Sequence, residues 1–107
     1  MAAIPPDVTR SVERFLEAVR REWRVEAAYL FGSQARGQAV EWSDIDVAVV
    51  SRDRPADLGR ERLRRMRIAA AIDPRIEPRL FAAEDFTIND PLVGEIRRNG
   101  IPLGVSP

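Results

Sequence analysis

The sequence predicts an α+β domain: a small mixed β-sheet with an antiparallel first pair of strands, packed by helices. Two observations carry the sheet. Short apolar runs, "VEAAYLF" (Val25 to Phe31) and "IDVAVV" (Ile45 to Val50), are joined by residues that include Gly32, Ser33 and Gly37. A connection of about a dozen residues has no room for a long helix, which favours an antiparallel return. The second run is followed by a helical pattern and then by a third strand candidate, which favours a parallel, right-handed crossover. A third observation is bulk: 107 residues, 45% hydrophobic and 32% charged, is the size and balance of one globular domain, expected to span 1–107.

The elements follow in order. Pro5-Pro6-Asp7 starts a helix. Val8, Val12, Phe15, Leu16, Val19 and Trp23 then recur at three- and four-residue spacing, one buried face. Val25 to Phe31 is a strand stopped by Gly32. "SQARG" is one helical turn. Ile45 to Val50 is apolar on both faces and therefore a central strand. Ser51 to Asp57 is polar, contains a proline and reads as a loop. Leu58 to Ile72 is a long helix, with Leu58, Leu63, Met66, Ile68, Ala69 and Ile72 as its apolar residues and its many arginines as a solvated face. Pro78 cannot donate to a ladder, so Arg75 to Phe81 is expected at an edge. The last helix has Asp90 as N-cap, Pro91 at its first position and Asn99-Gly100 as its stop. Its Leu92, Val93 and Ile96 are expected in the core rather than on a docking face.

Composition removes several chemistries. There is no Cys and no His, so thiol nucleophiles, imidazole bases and zinc sites built on sulfur or imidazole are excluded. Any metal must be hard and held by oxygen. Seventeen basic residues, all Arg, balance seventeen acidic ones, so net charge gives no ground for direct nucleic-acid binding. No apolar run is long enough for a membrane span, and the N-terminus lacks the pattern of a secretory signal. The expected location is cytoplasmic.

The chemistry concentrates in "LFGSQARGQAVEWSDIDVAVVS", Leu30 to Ser51. Asp44 and Asp46 lie two apart at a strand entrance, so their carboxylates share a face with Cα atoms roughly 6.5 Å apart. Two like charges that close raise each other's cost of ionisation. A divalent cation relieves it. Mg²⁺ takes oxygen ligands and completes its shell from water and phosphates. If the first strand is antiparallel to the second, Gly32 and Ser33 end beside the two aspartates. Gly32 lets backbone approach a ligand, and the following N–H groups with the Ser33 hydroxyl can cradle an anion. Arg36 adds positive charge. The simplest alternatives are a polar strand entrance and a plain turn. Ser43 is a nucleotide-side candidate beside the plainer role of capping its loop. Trp42 is open between stacking on a base, meeting a partner and packing in the core.

"GSQARGQAVEWSDID" fits the pattern Gly-Ser-x-Ala-x-Gly-x5-Ser-Asp-x-Asp. It resembles the DNA polymerase beta-like nucleotidyltransferase superfamily, and the short chain resembles its minimal nucleotidyltransferase (MNT) members. The strong match runs from Tyr29 to Val50. The resemblance implies that Gly32 and Ser33 hold a triphosphate and that Asp44 and Asp46 bind Mg²⁺, with two ions expected. It also implies a third carboxylate on the next strand that binds metal and acts as general base. Glu77 in "RIEPRLF" is the candidate, although Asp is commoner there; Asp73 is the rival, and an ion pair of Glu77 with Arg75 or Arg79 is the structural alternative. Arg79 shares the face of Glu77 and is a weaker phosphate candidate.

The function implied by the resemblance is transfer of AMP from ATP to a hydroxyl of a partner protein, with tyrosine as the expected acceptor. The partner would be a HEPN-domain ribonuclease toxin, the chain its antitoxin and the assembly a hetero-oligomer. Two rivals stand beside it. A small-molecule adenylyltransferase of the aminoglycoside-modifying sort carries an added substrate domain. A catalytically idle module would neutralise its toxin by contact alone.

Overall fold

The computed structural model describes residues 4–87 and 89–104. A four-stranded mixed sheet is packed by four helices. Helix α1 (Pro6–Arg20) leads to β1 (Val25–Phe31), the one-turn α2 (Ser33–Arg36) and β2 (Ile45–Ser51). Helix α3 (Leu58–Ile72) then crosses to β3 (Ile76–Ala82), and α4 (Pro91–Asn99) ends in the two-residue β4 (Ile101–Pro102). The strand order is β3-β2-β1-β4. β1 is antiparallel to β2 and to β4, and β2 is parallel to β3. The antiparallel return, the helical crossover and the edge position of β3 are all as the sequence predicts.

β2 is central, and Val47, Ala48, Val49 and Val50 are buried on both faces. α1 and α3 cover one face, where Val8, Val12, Phe15, Leu16 and Val19 meet Leu30, Ile45, Val47 and Val49. The other face is half covered. Val93 and Ile96 of α4 pack with Phe86 on Phe31, Ala48 and Val50. Phe86 stacks on Tyr29 at 5.6 Å and meets Phe81 edge-on at 5.3 Å. This cluster closes one end of the face and leaves the end that carries Asp46 and Glu77 open. No helix among the described residues is long and apolar enough to cross a membrane.

Three expectations need correction. α3 has the predicted ends, with Asp57 capping the Arg60 N–H, and Ile68, Ala69 and Ile72 pack inward as expected, but the rest of its inner side differs. Leu63 and Met66 face solvent, whereas Arg65 is 1% exposed. Its guanidinium lies 3.9 Å from the centre of the Trp23 ring, and burial pushes it down to about 10. The ring's attraction for a cation and the nearby charges of Glu61 and Glu22 offset part of that desolvation. Trp23 itself lies in the turn after α1, half-buried, its indole N–H donating to Glu61 at 2.6 Å. Gly100 caps α4 as expected, in an extended conformation, its N–H donating to the Ile96 carbonyl at 2.8 Å. Glycine is needed there because a Cβ would collide with the Ile96 carbonyl. Finally, β4 extends the sheet past the last expected element.

Candidate nucleotide site

The antiparallel return does the positioning. Phe31 pairs with Asp46 across β1 and β2, and Asp46 with Glu77 across β2 and β3. Asp46 and Glu77 are therefore side by side on the open half-face, on strands about 4.8 Å apart. Asp44 is exposed in the loop just before β2. The three carboxylates lie at one end of the sheet, yet no group of three carboxylates with metal-holding geometry is formed among the described residues.

Gly32 is the junction between the sheet and the cradle. Its φ of 72° and ψ of −150° belong to a region open essentially to glycine alone. A Cβ there would overlap the Asp46 carboxylate, whose Cγ would lie only 3.3 Å away. The backbone of the Gly-Ser turn thus runs against the half-buried carboxylate. Ser33 begins α2, whose Ser33, Gln34 and Ala35 N–H groups precede its first intrahelical bond, from the Arg36 N–H to the Gly32 carbonyl at 3.1 Å. Gly37, left-handed at φ 71°, closes the turn. Gly32→Ala is expected to lower stability by about 1–3 kcal/mol, to displace Asp46 and to weaken ATP binding. Thermal melts and ATP titration test this; a variant unchanged in both would show that the turn tolerates a side chain.

The charges around Asp46 are unequal. Burial raises its carboxyl above the usual value, and the negative charges of Glu77 and Asp44 raise it further. Arg79 and Arg36 pull the other way, less strongly. Arg36 is held by Glu95 of α4 at 3.3 Å and by Gln38 at 3.2 Å. Ser43 staples its loop: its hydroxyl accepts from the Val40 N–H at 2.8 Å, so in this conformation it serves the capping role. Trp42 is 79% exposed, which removes the core reading. Glu77 makes no ion pair with Arg75 or Arg79 among the described residues. Arg75 instead bonds Asp73 and Asp7, each through Nη2, at 2.8 and 2.9 Å. Asp73, the rival third carboxylate, is buried at the end of α3 and committed to Arg75 and Ser11. One residue the motif passes over is structural: Gln34 is buried beneath the turn, and its Oε1 lacks a hydrogen-bond partner among the described residues.

The donor set is oxygen only. Burial, and then like charge, hold the Asp46 carboxyl above its usual value, and the Gly32 backbone abuts it. Such a set fits a hard divalent cation, which would relieve the repulsion that adds to burial in raising Asp46.

The family model of the nucleotidyltransferase domain matches residues 12–92. The chain belongs to the nucleotidyltransferase domain family. The match includes the Gly-Ser turn, both aspartates and β3, so the row built by Gly32, Asp46 and Glu77 lies inside the family's domain. Solved structures share the fold of this nucleotidyltransferase. A crystal structure of a Sulfolobus solfataricus protein assigned as a nucleotidyltransferase is 20% identical, with a TM-score of 0.62, over 89% of this chain and 78% of that one. A toxin–antitoxin structure with AMP-PNP is 22% identical, with a TM-score of 0.64, over 92% and 73%. No curated protein matches the chain.

Proposed function

We propose that this nucleotidyltransferase moves AMP from ATP to a hydroxyl, with tyrosine as the expected acceptor, on a HEPN-type ribonuclease toxin, and that it acts in the cytoplasm as the antitoxin of that pair. The observation that carries the reaction is the in-register row Phe31–Asp46–Glu77 with the Gly32 backbone against Asp46. The partner is supported by the resemblance of the motif and by the fold shared with the toxin–antitoxin structure.

The residues divide the work. Gly32 and Ser33 offer backbone N–H groups and a hydroxyl to the triphosphate. Arg36, released from Glu95, would add charge on the same side. Asp44, Asp46 and Glu77 would hold Mg²⁺, which when bound neutralises charge on the phosphates. Glu77, exposed and free of an ion pair among the described residues, takes the proton of the acceptor hydroxyl. The acceptor oxygen then bonds to the α-phosphorus, the bond to the bridging oxygen of pyrophosphate breaks, and pyrophosphate leaves with the electron pair. Positioning and charge neutralisation supply the rate.

The lack of a gathered three-carboxylate group among the described residues favours the idle module as second reading. Intact-mass spectrometry of the protein co-expressed with a HEPN-type partner separates the two. With ATP and Mg²⁺, the partner is expected to gain the mass of one or more AMP groups, and not with Asp44→Asn. A stable complex without added mass in either sample would establish the idle module. Transfer to a small molecule without any complex would establish the aminoglycoside-type rival.

A further inference from the structure

The outward side of α3 runs against the usual partition of a helix. Arg65 is buried over the Trp23 ring, and none of its three guanidinium nitrogens has a hydrogen-bond partner among the described residues. Leu63 and Met66, by contrast, are 49% and 56% exposed. A helix that buries an unpartnered cation and leaves large apolar residues in water breaks a folding rule, and such breaks concentrate where a surface has a use. At helical spacing, Gly59, Leu63, Met66 and Ala70 fall in one stripe, and all four are exposed. The stripe holds two of the four large apolar side chains that are exposed among the described residues.

Arginines border it. The same spacing sets Arg60 and Arg67 along one edge of the stripe and Arg62 along the other, all exposed. None of the three has an ion-pair partner among the described residues. Glu61, the acidic residue of this helix, turns away, its carboxylate accepting the Trp23 indole N–H. Charge then chooses the occupant. Two copies joined α3 to α3 would set Arg60, Arg62 and Arg67 against their equivalents. A flat anionic surface, a bilayer or an RNA backbone, would also press on acidic side chains beside the helix. Glu17 lines the groove between α1 and α3 with Ile68 and Ala71, and Glu22 pairs with Arg64. A single helix with an apolar stripe between acidic borders meets the stripe and its arginines alone.

Position adds a constraint. Ile68, Ala69 and Ile72 seat α3 on the face of the sheet that holds Val47 and Val49. Asp46 and Glu77 lie on the opposite face. The stripe points away from the sheet, so a segment docked there leaves the carboxylate row and the Gly32–Ser33 turn free.

We propose that the Gly59–Ala70 stripe of α3 is a docking surface for an amphipathic helix with acidic borders on the partner protein, and that it holds the partner whether or not the nucleotide site is filled. That the partner is a HEPN-type toxin rests on the reading above; the surface does not.

The test measures affinity for the HEPN-type partner, with and without ATP and Mg²⁺, and for two synthetic helical peptides: a leucine stripe bordered by glutamates, and its twin bordered by lysines. Leu63→Ala with Met66→Ala is expected to weaken partner binding about 30-fold, the scale of two half-exposed apolar side chains lost from an interface. The melting temperature should change little, since both side chains are exposed. Arg62→Glu with Arg67→Glu should weaken binding at least as much and reverse the preference for the glutamate peptide. ATP and Mg²⁺ should leave partner affinity within about twofold; partner binding that requires them would overturn the independence of the two sites. Partner affinity unchanged in both double variants would overturn the surface and leave the toxin reading standing. Glutamate-peptide binding that depends on Leu63 and Met66, without any binding of the HEPN-type partner, would sustain the surface and sink that reading. Binding of neither would overturn the surface. Self-association lost in Leu63→Ala with Met66→Ala would give the stripe to a second copy. Binding of single-stranded RNA or phosphatidylserine vesicles, lost in the arginine variant and kept in the apolar one, would give it to an anionic polymer or bilayer. Either result overturns the proposal.

Discussion

Asp46→Asn is expected to abolish Mg²⁺-dependent ATP binding while raising the melting temperature of the metal-free domain. Both effects come from one carboxylate. The Gly32 backbone leaves no room beside it, and Glu77 is its register partner on β3. Asn keeps the shape but not the charge. Metal affinity should fall by at least about 100-fold, the upper end of what losing even an outer-shell partner costs. The stability effect has the opposite sign. Burial, Glu77 and Asp44 raise the Asp46 carboxyl above its ordinary value. The folded protein therefore keeps that proton to a higher pH than the unfolded chain does. Ionised Asp46 is a cost to the fold, fully present at neutral pH and relieved as pH falls through the raised value. Asn removes the cost, so the variant's advantage should be largest at neutral pH and should shrink toward about pH 4. Calorimetric titration of ATP with and without Mg²⁺, and melts in chelator across that range, make the measurement. A variant that melts below wild type at neutral pH would show that Asp46 is a structural residue; ATP binding that keeps its Mg²⁺ dependence would remove it from the site.

The geometry of the candidate site was legible because its parts are local. Gly32 ends one strand, Asp46 begins the next, and a connection too short for a long helix leaves only an antiparallel return, which brings them together. The strand limits and the ends of α3 were legible from apolar runs and from punctuation at Gly32 and Asp57. The full inner face of α3 was legible only in part: Ile68, Ala69 and Ile72 pack inward, and Arg65 joins them. Its apolar residues are spread around the helix, so periodicity does not choose a face; the neighbours do, and the Trp23 ring takes Arg65 while Leu63 and Met66 are left outside. β4 has two residues, one of them proline, and carries no period to read. Arg75 could not be placed from its neighbours in sequence. An ion pair with Glu77 was the structural alternative. The guanidinium turns instead to Asp73 and to Asp7 of α1, a contact sixty-eight residues away in the chain. That distant contact leaves Glu77 unclaimed.

Glu77→Gln and Asp73→Asn should separate along different axes. Glu77→Gln is expected to lower AMP transfer by about two orders of magnitude or more, the scale of a lost general base, with a much smaller change in ATP affinity. Gln fills the same space on the edge strand but cannot accept the acceptor's proton. It also removes the negative charge that acts more strongly on Asp46 of the two that raise it, so the Asp46 carboxyl should titrate lower in this variant. Asp73→Asn should leave transfer nearly intact and lower stability by about 1.5–3 kcal/mol, the range for hydrogen bonds to a charged group. Asp73 is buried, accepts from Ser11 Oγ at 2.8 Å and from the Arg75 backbone N–H at 3.0 Å, and binds the Arg75 guanidinium. The Arg75 side chain, above all, holds its carboxyl well below the usual carboxylate range. A carboxylate depressed in this way stabilises the fold above its ordinary pKa. That contribution is lost as pH falls through the folded value. The Asn variant should therefore differ most from wild type at neutral pH and converge with it in strong acid. Single-turnover transfer to the co-expressed partner reads one axis and thermal melts across pH read the other. If Asp73→Asn instead stops transfer while Glu77→Gln spares it, the base belongs at the end of α3, and the row across β1, β2 and β3 is not where the proton leaves.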